Sequence, residues 1–133
     1  MLCIYMLTGS VLALHRCNDT AAFRKCLQTT LLYTSNIFNN IDNPKFHCIK
    51  LSNKNIQNFV LSLNGGLSFF MCSPIYWQVC FINDNLVCNN ALVQACREGA
   101  GAGAALRSQW LGMIAAYCAF LADVLQLEEF QVV

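Results

Sequence analysis

Charge is what this sequence has least of. Lys and Arg total eight and Asp and Glu seven, only 11% of the 133 residues, where an average soluble domain carries roughly a quarter. The net charge is +1, so no field of one sign points to nucleic acid. No Lys/Arg run and no zinc-finger spacing occurs either. The acids are scattered apart from Glu128-Glu129 near the end, so no carboxylate pair is offered for general acid–base work. There are only two histidines. A cysteine–histidine nucleophile would therefore rest on His47-Cys48, and sequence neighbours point apart; the expectation is a packed Cys48 beside a surface His47. Zinc sites need close pairs such as C-x-x-C, and the nine cysteines contain none. Cys72, Cys80, Cys88 and Cys96 recur at equal intervals and read as small buried hydrophobes. Gly65-Gly66 and Gly99–Gly103 lack the strand, helix and lysine of a phosphate loop. The sequence thus assigns no catalytic residue, no metal ligand and no cofactor, and the expectation is that the chain is not an enzyme.

What is abundant is apolar surface. Hydrophobic residues make up 56% of the chain, so either a partner or a membrane is expected to cover part of it. The length suits one small domain. Residues 1–14 are apolar but lack the basic start and small-residue cleavage site of a secretion signal. They are read as a buried strand or helix, and the thiols as reduced and cytoplasmic. On that reading the Asn18-Asp19-Thr20 sequon is not a glycosylation site.

Along the chain, the first strong periodicity spans 20–41. Phe23, Cys26, Leu27, Thr30, Leu31, Thr34, Ile37, Phe38 and Ile41 recur at helical steps, with Asp19 or Thr20 as cap. Asn40, Asp42, Asn43 and Pro44 end that helix. Residues 45–52 read as a loop or one helical turn. A second helix runs over 54–63, capped by Ser52 or Asn53 and stopped by Asn64-Gly65-Gly66. A short helix over Leu67–Cys72 ends at Ser73-Pro74. Residues 75–82 are β-branched and aromatic and predict a strand, with a turn at 83–85 and a second strand over Leu86–Cys88. Asn89 or Asn90 caps a helix over Ala91–Arg97. Residues 98–105 read as a Gly/Ala linker, and 106–127 as a last helix with Leu106, Trp110, Met113, Ile114, Tyr117, Leu121 and Val124 on its apolar face. Its charge-free stretch, Ser108–Ala122, is shorter than the ~20 residues a bilayer requires, so a docked or interfacial helix is expected.

One polar constellation stands out. Asn36, Phe46, Lys50 and Asn53 flank the end of the first helix and the start of the second. Carboxamides can bond a peptide backbone, the ring can pack an aromatic side chain, and the cation can pair a carboxylate. The same region carries a family resemblance. Asn36-Ile37, the run Asn43-Pro44-Lys45-Phe46, then Ile49-Lys50-Leu51, Asn53 and Gly65-Gly66 agree in order and spacing with the PUB domain. That module occurs in peptide:N-glycanases and in UBA- or UBX-containing proteins, the plant-type UBX proteins being nearest in flavour.

The resemblance implies an α/β fold of the α+β type, with a small helical domain packed on a short antiparallel sheet. It divides the chain into an apolar extension (1–18), a PUB-like domain (19–97), the linker (98–105) and a C-terminal apolar helix (106–133). It further implies a cytoplasmic adaptor that binds the C-terminal tail of the valosin-containing AAA+ ATPase in the ubiquitin–proteasome pathway. The peptide site carried over is Asn36, Lys45, Phe46, Lys50, Asn53 and Gly66. Two departures are visible: His47 stands where the family often has Arg, and Cys72-Ser73-Pro74 where it usually has Gly-Phe. They raise a second reading, a PUB fold that has lost its ligand. The apolar ends raise a third, a small membrane-associated protein.

Overall fold

The computed structural model describes residues 4–75, 77–80, 82–88 and 102–131. Helix α1 spans Ile4–Arg16 and α2 spans Thr20–Asn39. A 3-10 turn over Pro44–His47 leads into strand β1, Cys48–Lys50. Helix α3 opens at Lys54–Ile56 and widens into a π turn over Gln57–Leu61, closed by Ser62 N–H donating to the Gln57 carbonyl at 3.1 Å. Helix α4 is Gly66–Met71. Strands β2 (Gln78–Cys80) and β3 (Asn85–Val87) follow, and helix α5 is Ala102–Gln126. The sheet is antiparallel in the order β1-β3-β2, with Ile49 and Val79 both opposite Leu86. The chain is therefore a mostly helical α+β structure with a small three-stranded sheet.

Local chemistry sets the helix ends. Asp19 caps α2 by accepting from Ala22 N–H at 2.8 Å. Inside α2, Thr29, Thr30 and Thr34 are buried. Each donates its hydroxyl to the carbonyl four residues earlier, at 2.8, 2.8 and 2.7 Å, so no buried donor is left over. Gly65 stops the preceding helix at φ +77, a conformation that costs a side-chain-bearing residue about 1–2 kcal/mol. Asn18 is consumed structurally: its amide donates to the carbonyls of Leu14 (2.9 Å) and Asn64 (3.0 Å), and its oxygen accepts from Asn64 N–H at 3.1 Å. The sequon residue thus pins the α1–α2 corner to the end of α3.

The core joins all layers. Phe23, Leu27, Ile37, Ile56, Val60, Phe70, Ile75, Leu86, Ile114 and Leu121 are fully buried. Phe70 stacks on Trp77 with centroids 5.6 Å apart, worth ~0.5–1.5 kcal/mol beyond area burial. Helix α5 lies antiparallel along α2. Arg24, near the start of α2, donates to the carbonyls of Leu125 (2.7 Å), at the end of α5, and Phe130 (3.1 Å), in the 3-10 turn that follows it. At the opposite end Arg107 holds Asp42 with two bonds, 2.6 and 2.7 Å. Between them Trp110 Nε1 donates to the Pro74 carbonyl at 2.7 Å.

Several sequence expectations need correction. The linker over 98–105 is helical from Ala102 onward; alanine is the best helix former, and α5 continues without a break into its packed stretch. Of the strand expected over 75–82, Gln78–Cys80 pair with β3, while among the described residues Ile75 lies outside the strand and Ile82 is 94% exposed in the turn. Cys48–Lys50 is a strand rather than a loop or helical turn. The His47-Cys48 expectation is reversed: His47 is buried and Cys48 exposed, because strand alternation follows His47 in, Cys48 out, Ile49 in. Cys88 is buried, but Cys80 is half-buried and Cys72 exposed. Gly103–Gln126 is, by length and composition, long and apolar enough to cross a bilayer, although Trp110, Ile114, Tyr117, Leu121 and Val124 bury one face in the protein. The helix expected over Ala91–Arg97, with Cys96, lies outside the described residues.

Candidate functional site

A hollow of about 280 Å³ lies where α2, β1 and the start of α3 meet, lined by Tyr33, Cys48, Ile49, Lys50, Ser52 and Asn53. Each wall has a local cause. Asn53 caps α3, its Oδ1 accepting from Asn55 N–H (2.9 Å) and Ile56 N–H (3.3 Å). Its own N–H donates to the Lys50 carbonyl at 3.0 Å, so β1 and α3 are joined by a tight turn that projects Lys50 and Asn53 side by side. Both are exposed. Ile49 points the other way, into the core. Leu51 N–H is fixed by the Asp84 carbonyl at 2.8 Å and Cys88 N–H by the His47 carbonyl at 2.8 Å, so the hollow's floor is continuous with the sheet.

Tyr33 supplies the aromatic wall. Burial pushes its phenol above the ordinary tyrosine range, while bonds to the side chains of Asn55 and Asn53 pull the other way. The ring therefore presents a protonated hydroxyl across ordinary pH. Sequence reasoning did not single out Tyr33; its signal is its place three residues before Asn36, on the same face of α2.

The six residues named from the sequence divide among different positions. Lys50 and Asn53 line the hollow. Asn36 is half-buried on α2, where its carbonyl accepts from Asn40 at 2.9 Å. Lys45 is exposed on the 3-10 turn, its N–H bonded to Asn43 Oδ1 at 3.1 Å. Phe46 is half-buried and packs against the core, outside the residues that line the hollow. Gly66 lies apart from it, buried where α4 approaches α3; a Cβ there would collide with the Val60 carbonyl. Its role is close packing. The departing segment Cys72-Ser73-Pro74 does not line the hollow: Cys72 borders a groove between α1 and α4, and Pro74 receives Trp110.

Among the described residues no three His, Cys, Asp or Glu side chains come together as a metal site. The hollow offers an aromatic hydroxyl, a cation, one carboxamide and a serine hydroxyl on a small scaffold. Groups of this kind can hold the backbone and side chains of a short polar peptide. Residues 20–73 match the model of the PUB domain family. PUB domains are protein-interaction domains known for binding the tails of AAA ATPases. The match ends where α5 docks, one residue before Pro74. No curated protein and no solved structure matches the chain.

Proposed function

We propose that the chain is a non-catalytic adaptor in the cytoplasm that holds the acidic C-terminal tail of the valosin-containing AAA+ ATPase, linking it to the ubiquitin–proteasome pathway. The observation that carries this reading is the adjacency of Tyr33, Lys50 and Asn53 around one hollow within the residues that match the PUB domain family. Lys50, with Lys45 nearby, draws the acidic tail. Tyr33 packs against its aromatic residue, and Asn53 bonds its backbone or terminal carboxylate, with Phe46 and Asn36 outside the hollow's lining. A tail of this kind pays ordering entropy on binding, so the affinity is micromolar, about −8 kcal/mol.

The test is a calorimetric titration of the full chain with a synthetic ten-residue tail peptide. Saturable binding that a Lys50→Glu change weakens supports the reading. A folded chain that binds no tail peptide favours a PUB fold without this ligand. The membrane-associated reading draws on the length of Gly103–Gln126; it requires the chain to partition into the detergent fraction, whereas the adaptor remains in the aqueous one.

A further inference from the structure

Two more hollows lie along the same face of α2. One, of about 170 Å³, is bordered by Lys25, Gln28, Leu32, Asn55 and Phe59 among others. The other, of about 390 Å³, continues past Lys25 and Phe59 towards Asp19, Asn58 and Ser62. They share the Lys25–Phe59 pair, in which the ammonium stands 5.6 Å from the ring centroid. Leu32 and Asn55 border the first of them, beside Tyr33 and Asn53 of the first hollow, so the furrow between α2 and α3 runs on from the candidate peptide site.

The furrow's chemistry selects one occupant. Its only carboxylate is Asp19, already engaged as the cap of α2. Its cation is Lys25, exposed, and Lys50 lines the neighbouring hollow. Leu32 is 51% exposed and Phe59 half-buried, giving apolar ground beside the charge. Gln28, Asn55 and Asn58 supply carboxamides that pair with an extended backbone. An acidic peptide carrying an apolar side chain fits; a basic one does not.

We propose that this furrow is a second anchoring site for the same acidic tail, engaging residues upstream of those held in the Tyr33–Asn53 hollow. The proposal rests on the tail-binding reading above. Spacing fixes which residues: Lys25 and Tyr33 are eight positions apart on one helix, about 12 Å. An extended peptide covers this in about four residues. The upstream anchor is therefore an acidic residue with an apolar neighbour about four positions before the hollow's own ligand. Its acid pairs with Lys25, and its apolar neighbour lies on Phe59 and Leu32.

The experiment titrates the full chain with two synthetic peptides, the last five and the last ten residues of the acidic tail, against wild type, Lys25→Glu and Lys50→Glu. Lys25→Glu lies on an exposed helical surface, and its folding is checked by thermal unfolding. The expected result is that the longer peptide binds more tightly than the shorter, and that Lys25→Glu weakens only the longer, about three- to tenfold. Lys50→Glu weakens both. Equal affinity of the two peptides, or a Lys25→Glu chain that binds both as wild type does or loses both alike, overturns the second anchor and leaves the first site standing. Failure of both peptides to bind folded wild type overturns the tail reading and the anchor together.

Discussion

The Asn53 N–H donates to the Lys50 carbonyl at 3.0 Å, and through this bond the end of strand β1 is coupled to the turn that begins α3. Asn53 is at once a wall of the hollow and the cap of a helix. Truncating it to alanine therefore mixes two effects: a lost binding contact and a lost cap, the latter costing about 1 kcal/mol. Asn53→Asp separates them. Aspartate caps as well as asparagine, so urea unfolding is expected to change by less than about 0.5 kcal/mol, while the new charge repels an acidic tail. Tyr33→Phe is the milder companion, removing only the hydroxyl, and is expected to weaken tail binding severalfold with the fold intact.

The glycine pair gives a ranked stability prediction. Gly65→Ala forces a side chain into φ +77 and is expected to cost about 1–2 kcal/mol. Gly66→Ala drives a methyl into the Val60 backbone carbonyl, which cannot swing aside, and is expected to cost more, about 2–4 kcal/mol. Denaturant midpoints of the two variants check the order.

The docking of α5 is tested at its two ends. Trp110→Phe keeps most of the ring but leaves the buried Pro74 carbonyl without its 2.7 Å donor, at an expected cost of about 1–3 kcal/mol. Arg107→Ala removes a pair whose partners are 34% and 67% exposed, so its loss is expected to stay within about 1 kcal/mol. Reversal of that ranking would mean that α5 is held by its charged end.

Thiol chemistry should follow burial. Burial pushes the Cys26 thiol up to about 11, against a smaller lowering by its bond to Thr30, whereas Cys17, Cys48 and Cys72 are exposed. At pH 8 the exposed thiols are expected to react with a disulfide reagent and Cys26 to resist until the protein unfolds. The raised value also sets the sign of a pH effect. The unfolded chain loses the Cys26 proton near 9.0 and the folded chain near 11. The stability is therefore full below about pH 9 and falls as pH rises towards 11. Burial raises Tyr33, Tyr117 and Cys118 in the same direction, so alkaline unfolding is expected, with a shallower slope in Cys26→Val.

Much of this architecture was legible wherever the cause is local. The cap at Asp19, the cap at Asn53 and the stop at Asn64-Gly65-Gly66 are signals of one or two residues acting on their immediate backbone, and each operates as expected. Strand β1 was not legible, because three residues at Cys48–Lys50 become a strand only by pairing with Asn85–Val87 far along the chain. Buried His47 was missed for the same reason. Of the residues that line the hollow, Lys50 and Asn53 belong to the constellation named from the sequence, whereas Tyr33 does not, since one tyrosine on an apolar helix carries no mark until α3 folds beside it. Gly66 was placed at the pocket by resemblance, while its packing against Val60 depends on a helix-to-helix distance that spacing does not encode.

The most direct measurement is a titration of the full chain and its Asn53→Asp variant with the ten-residue acidic tail peptide, alongside their unfolding curves. Saturable micromolar binding, at least about tenfold weaker in the variant at unchanged stability, is the predicted result. No saturation by a folded chain, or equal affinity in the two proteins, would contradict it.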